Sequence, residues 1–191
     1  MRFILIAAGW FVAAIALSGS GFLQRLRPPA PQLIIAGLTI ALLAAWRVSA
    51  RFRQWLAIID LRVLVGLHLT RFVGFYFLLL CRRGELPCDF ALPAGLGDVL
   101  VATLAAVLLM CWNRLGASRA VVGAWNAFGL LDILFVVASA AKHGIADPGS
   151  MSALLRLPLS LLPTFLVPLI IASHIIIFSR LPAENGGRRR E

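Results

Sequence analysis

Long apolar runs separated by short polar segments dominate the hydrophobic pattern of the chain. A helix needs roughly 20 apolar residues to cross the hydrocarbon core of a bilayer, and several runs reach that length. None of them shows the strict alternation over about ten residues that marks a membrane β-strand. The six runs cover approximately Phe3–Leu23, Gln32–Val48, Gln54–Cys81, Ala94–Asn113, Ala120–Ala141 and Leu157–Ser179. The pattern therefore predicts an all-α polytopic integral membrane protein, a bundle of six transmembrane helices.

The first apolar run is too long for a cleaved signal sequence, whose apolar core has about 7 to 15 residues. It is therefore predicted to remain as the first helix and to end before the proline-rich segment at residues 27–31. Residues 1–181 are predicted to form one transmembrane domain. The polar, basic tail at residues 182–191 is predicted to be disordered.

The composition supports a membrane location. The chain has 191 residues, of which 61% are hydrophobic and 14% charged, whereas a soluble domain has about 25% charged residues. A net charge of +10 raises the question of nucleic-acid binding, but the basic residues lie in short clusters between apolar runs. Nucleic-acid binders instead gather basic residues on one soluble face. The predicted partner is the lipid bilayer, no nucleic-acid partner is expected, and oligomerisation is left open.

The distribution of basic residues predicts an orientation. Six spans place both termini on one side, with ten of the eighteen basic residues; six lie on the other side, and Arg62 and Arg71 lie within a span. The ten are Arg2, Arg47, Arg51, Arg53, Arg114, Arg119, Arg180, Arg188, Arg189 and Arg190. The positive-inside rule then predicts a cytoplasmic (inner) membrane protein with both termini in the cytoplasm.

Ionisable residues inside the spans are the strongest functional signal, because a charge at the bilayer centre costs at least about 2.5 to 3.5 kcal/mol. Helix rise converts sequence distance from boundary residues such as Trp55 into depth. A layer about 20 to 24 Å from the cytoplasmic boundary then holds the candidate ligand- or proton-binding groups. These are His68, Arg71, Asp98, Asp132 and the carbonyl of Thr164, which Pro168 leaves without a helical donor. Equal depth predicts the pairs Arg71–Asp98 and His68–Asp132.

A second polar layer is predicted about 7 to 11 Å from the cytoplasmic boundary. It contains Asp60, Asn126 and His174. Since His68 and His174 would then differ in depth by about 10 Å, haem ligation by the two histidines is not expected. Arg71 also disfavours a metal site among the acidic residues, because it would repel the cation. No cofactor is predicted, although haem or metal is not excluded.

Two further features of the sequence have more than one interpretation. Cys81 and Cys88 lie on the predicted outer side and could form a disulfide or remain as two thiols. Residues 95–102 (GLGDVLVA) and 129–136 (GLLDILFV) share Gly, Leu, Asp and Leu in register. Such similarity could be a relic of an inverted repeat, but chance similarity between apolar helices is the simpler explanation.

Three classes of function remain open from the sequence. The first is binding or transport of a small polar or anionic solute, or of protons, with Arg71 attracting a negative group and His68 titrating near neutral pH. The second is an intramembrane enzyme acting on a lipid or quinone-like substrate, with His68 and Asp132 as an acid–base pair. The third is a structural or assembly subunit. The common catalytic motifs HExxH and GxSxG are absent from the sequence.

Overall fold

The computed structural model describes residues 2–116 and 118–181, and within these residues it is helical and contains no strand. The helices are α1 (Arg2–Gly19), α2 (Ala30–Val48), α3 (Ala50–Ile58), α4 (Leu61–Leu67), α5 (Gly74–Arg82), α6 (Cys88–Met110), α7 (Arg119–Ala146) and α8 (Val167–Arg180). Six helical segments of the described residues are long and apolar enough to cross a membrane. The prediction of an all-helical fold is confirmed for the described residues, and the six segments correspond in order to the six predicted spans, with different limits. The predicted disordered tail lies outside the described residues.

The third span differs from its predicted limits, Gln54–Cys81. It begins only at Leu61 and runs to Arg82, and it includes a 3₁₀ segment, His68–Val73, between α4 and α5. The preceding helix α3 is separate, because the chain is extended at Ile59 and Asp60. Asp60 is exposed and caps α4 by accepting a hydrogen bond from the backbone N–H of Arg62 at 2.8 Å. Trp55 therefore lies on a different helix from His68, and a depth measured from Trp55 along one helix is wrong.

Helix α3 lies at the end of the bundle where α1 begins and α8 ends. The ring of Phe3 lies 5.3 Å from that of Trp55. Arg180, at the end of α8, donates to the carbonyl of Leu56 over 3.4 Å. We call this the α3 end of the bundle.

The opposite end carries a disulfide bond between Cys81, in the last turn of α5, and Cys88, the first residue of α6. We call it the disulfide end. Below this bond α5 and α6 pack backbone against backbone, since a Cβ atom on Gly95 would lie 2.8 Å from the carbonyl oxygen of Gly74. Glycine at both positions permits this close approach.

Two apolar clusters fill the bundle on either side of a polar layer. The one toward the α3 end includes Val101, Trp125 and Ile177, and the one toward the disulfide end includes Phe77 and Phe90. The polar layer consists of His68 and Arg71 in the 3₁₀ segment His68–Val73 together with buried polar side chains of α6, α7 and α8. The fold thus encloses a polar layer within a hydrophobic interior.

Candidate functional site

Arg71 is the centre of the buried polar layer and is only 1% exposed. Its Nε donates to Asp98 Oδ1 at 2.6 Å, its Nη1 donates to the carbonyl of Gly129 at 2.9 Å, and its Nη2 donates to Asp132 Oδ2. The expected contact between Arg71 and Asp98 is therefore present. We call Arg71, Asp98 and Asp132 the charge cluster.

The charge cluster contains two carboxylates and one guanidinium group. With both aspartates ionised it carries one excess negative charge, in an environment where the side chains of Asp98 and Asp132 are 5% and 11% exposed. A net charge is costly inside a membrane. A proton on either carboxyl group would make the cluster neutral.

The predicted pair His68–Asp132 is not formed. Asp132 pairs with Arg71, and His68 Nε2 instead lies 3.1 Å from the Ser173 hydroxyl of α8. The prediction was wrong because Arg71 donates to both aspartates, and His68 bonds with Ser173 instead.

The predicted separation of His68 and His174 into two layers is also wrong. Their ring centroids are 4.2 Å apart, and both residues are fully buried. His174 Nδ1 lies 2.8 Å from Asn126 Oδ1, and Asn126 Nδ2 donates to the backbone carbonyl of His174 at 2.9 Å. We call His68, Asn126, Ser173 and His174 the histidine cluster. Asp60, the third residue of the predicted inner layer, is not part of it.

The hydrogen-bond partners assign the tautomer of each histidine. The Ser173 hydroxyl donates to the carbonyl of Ile170 at 2.8 Å, so it accepts from His68 Nε2–H. The Asn126 carbonyl oxygen only accepts, so it receives His174 Nδ1–H. The other ring nitrogens, His68 Nδ1 and His174 Nε2, are buried acceptors without a partner among the described residues. Each of these two nitrogens has a free lone pair that can bind one proton.

Two glycines join and shape the clusters, and the sequence analysis did not identify them. The carbonyl of Gly129 accepts from Arg71, while a Cβ on Gly129 would lie only 2.7 Å from His174 Cε1. A Cβ on Gly97 would overlap Asp132 Oδ1. Both glycines lie in the two similar segments, 95–102 and 129–136, each of which also supplies one aspartate. The shared glycine position, Gly95 and Gly129, was an available signal for Gly129; Gly97 and Ser173 had none.

Thr164 is not part of the charge cluster. Its backbone carbonyl accepts a hydrogen bond from the indole Nε1 of Trp10 in α1 at 3.0 Å, and its hydroxyl donates to the carbonyl of Ser160. The expectation that Pro168 frees this carbonyl as an acceptor holds, but its donor comes from the first helix. Thr164 therefore attaches α1 to the bundle.

A cavity of about 20 Å³ touches Arg71 and Asp98. This is space for about one water molecule. Phe77, Val136 and Val167 form part of its wall. The cavity therefore leaves room for about one water molecule beside Arg71 and Asp98.

The described residues contain no group of three or more His, Cys, Asp or Glu side chains arranged to hold a metal ion. Haem ligation was not expected because the two histidines were predicted to differ in depth by about 10 Å. Their rings are in contact, so this reason is wrong.

A family model described as a domain of unknown function (DUF8737) matches residues 28–182. The chain belongs to this family. No curated protein and no solved structure matches the chain significantly. The matched range contains both the charge cluster and the histidine cluster, whereas α1 and Trp10 lie outside it.

Proposed function

We propose that the protein binds and transfers protons inside the membrane, alone or together with a small polar solute. One observation carries the proposal: two aspartates share a single arginine in the buried layer, beside two histidines that each have an acceptor nitrogen without a partner among the described residues. Intramembrane ionisable groups commonly mark proton or solute pathways.

The charge cluster is the primary proton-binding site in this proposal. Asp132 is its more exposed carboxylate, with a side chain 11% accessible, and would exchange protons first. The histidine cluster provides the next acceptors, because Gly129 contacts both Arg71 and His174. Arg71 keeps its own protons and serves to hold the two carboxylates in place.

An anionic solute at Arg71 is less favourable than a proton. The Nε, Nη1 and Nη2 atoms of Arg71 each donate to a protein oxygen already, and two of these oxygens belong to carboxylates. A third negative group would be repelled by both. A coupled solute would therefore be neutral or cationic.

The proposed location is the cytoplasmic (inner) membrane with both termini in the cytoplasm. The uneven distribution of basic residues between the predicted spans supports this orientation through the positive-inside rule. The Cys81–Cys88 bond at the disulfide end supports it independently, because disulfides persist on the side that faces an oxidising compartment.

Infrared difference spectroscopy of the purified protein between about pH 5 and 8 tests proton binding. We expect the C=O band of a protonated carboxyl group to titrate in the wild type and to be lost in Asp132→Asn or Asp98→Asn. Asp60→Asn is the matched control, since Asn also caps a helix well and Asp60 is exposed. If both cluster variants keep the band, the charge cluster is not the proton site.

Proton flux into liposomes that contain the protein tests transfer. A membrane potential should drive faster internal acidification with the wild type than with Asp132→Asn. Equal rates of acidification with the wild type and Asp132→Asn would contradict proton transfer by the charge cluster. Its role would then be to hold the helices together.

A further inference from the structure

A second and larger cavity lies at the disulfide end of the bundle, between the start of α2, the end of α7 and the segment that leads into α8. It encloses about 80 Å³ and is partly open. Four prolines and two phenylalanines form much of its wall: Pro28, Pro31, Pro148, Pro163, Phe77 and Phe90. We call it the proline pocket.

Gln32 is the single polar side chain that lines the proline pocket. Its Oε1 atom is buried and has no hydrogen-bond partner among the described residues. A buried polar atom without a partner is unfavourable by about 1 to 3 kcal/mol. The amide can present this oxygen as an acceptor or, after a flip of the amide group, its NH₂ group as a donor; an O–H group, which both donates and accepts, fits it in either orientation.

The proline pocket has one polar side chain, Gln32, in an otherwise apolar lining. Gln32 lies in the first turn of α2, at the disulfide end, whereas Val137 and Val167 lie further toward the middle of the bundle. An amphiphile in a bilayer has the same arrangement, with its polar end at the interface and its hydrocarbon directed inward. The pocket therefore fits a mostly apolar molecule with one polar end group.

Headgroup chemistry narrows the class of ligand. No charged side chain lines the pocket to neutralise a charged headgroup, so a phosphate group is disfavoured there. We infer that the proline pocket binds the hydroxyl end of a lipid-soluble, uncharged alcohol, such as an isoprenoid alcohol. The hydroxyl donates to Gln32 Oε1, and the adjoining hydrocarbon packs against Phe77 and Phe90.

The bound alcohol would lie close to the charge cluster. Phe77, Val136, Leu162 and Val167 line both the proline pocket and the small cavity that touches Arg71 and Asp98. One layer of side chains thus separates the two sites. Binding of the alcohol does not depend on the proposed proton function, and either could be correct without the other.

Photo-crosslinking with a diazirine analogue of farnesol, on the purified protein in phosphatidylcholine nanodiscs, tests the inference. Mass spectrometry should locate the label on residues of the proline pocket, and competition by unlabelled farnesol gives the affinity. Gln32→Leu should weaken binding about fivefold through the lost hydrogen bond. Gln54→Leu, at an exposed position of α3, is the matched control and should bind like the wild type.

Two cavity-filling variants test occupancy of the proline pocket without changing Gln32. Ala140→Leu and Val137→Phe both place extra atoms in the proline pocket and should abolish labelling of its residues in protein that elutes as the wild type does. Two fillers are used so that a folding defect in one leaves the other informative. Labelling should persist in Asp132→Asn, which separates this test from that of the proton function.

Three results would overturn the inference. Farnesyl methyl ether, which lacks the donor, would compete as well as farnesol. Excess phosphatidylglycerol would displace the label with the same affinity as farnesol, and the pocket would then hold ordinary phospholipid. Labelling in Gln32→Leu and in a folded filler variant would equal that of the wild type.

Discussion

Asp98 and Asp132 lie on neighbouring helices, α6 and α7, and both accept a hydrogen bond from the guanidinium group of Arg71. Each aspartate comes from one of the two similar segments, 95–102 and 129–136. The similarity in sequence therefore coincides with a shared partner in space. The third, fourth and fifth spans are joined at this point.

Neutralising both aspartates should cost more stability than the two single changes together. Asp98→Asn or Asp132→Asn alone leaves Arg71 with one counter-charge and should cost less than about 3 kcal/mol. The double variant leaves Arg71 as an uncompensated buried charge, which costs about 3 to 5 kcal/mol or more. Thermal unfolding of the purified variants in detergent measures the difference.

The exposed Asp60 provides the control for these substitutions, and Asp60→Asn should unfold like the wild type. Additive effects of Asp98→Asn and Asp132→Asn would show that the two carboxylates do not share Arg71 energetically.

Gly97→Ala should displace the Asp132 carboxylate from Arg71, because the added Cβ would overlap Asp132 Oδ1. We expect a loss of about 1 to 3 kcal/mol from overpacking, together with altered proton binding in the infrared titration. Gly37→Ala is the matched control: no atom lies within 4 Å of its Cβ position, so it should be neutral or stabilising by up to about 1 kcal/mol. A neutral Gly97→Ala would contradict the packing of α6 against Asp132.

Trp10→Phe should loosen α1 from the bundle. It removes the donor to the Thr164 carbonyl but keeps an aromatic ring beside Phe165, whose centroid lies 4.8 Å from that of Trp10. The expected loss is about 1 to 2 kcal/mol, measured by thermal unfolding, with faster proteolysis in the segment between α1 and α2. Trp46→Phe, near the surface at the α3 end, is the control and should lower the stability less. Equal losses of stability in the two variants would show that the hydrogen bond from the Trp10 indole N–H does not stabilise the bundle.

The native cysteines can test the orientation. Cys111 is exposed at the end of α6 opposite to Cys81 and Cys88. In intact cells a membrane-impermeant maleimide should label Cys88 of a Cys81→Ser variant and should not reach Cys111 until the membrane is permeabilised. Labelling of Cys111 alone in intact cells would reverse the proposed orientation.

The spans were predictable because length and apolarity are local properties of the sequence. A run of about 20 apolar residues has few alternatives to a membrane-spanning helix, and all six runs form helices long and apolar enough to cross a membrane. The contact between Arg71 and Asp98 was also predictable, since a buried arginine in a membrane needs an acid at a similar depth. Two acids were within reach of it, and the sequence analysis assigned one of them, Asp132, to His68.

Relative depth and rotation of the spans were not predictable from sequence spacing. The break at Ile59 and Asp60, the 3₁₀ segment His68–Val73 and the π-helical turn Leu162–Leu166 each change the rise and the facing direction of the residues that follow. Because of these irregularities, the ring of His68 contacts that of His174, and the Thr164 carbonyl accepts a hydrogen bond from Trp10. Each depends on contacts between distant segments, whereas a depth counted along the chain assumes one uninterrupted helix.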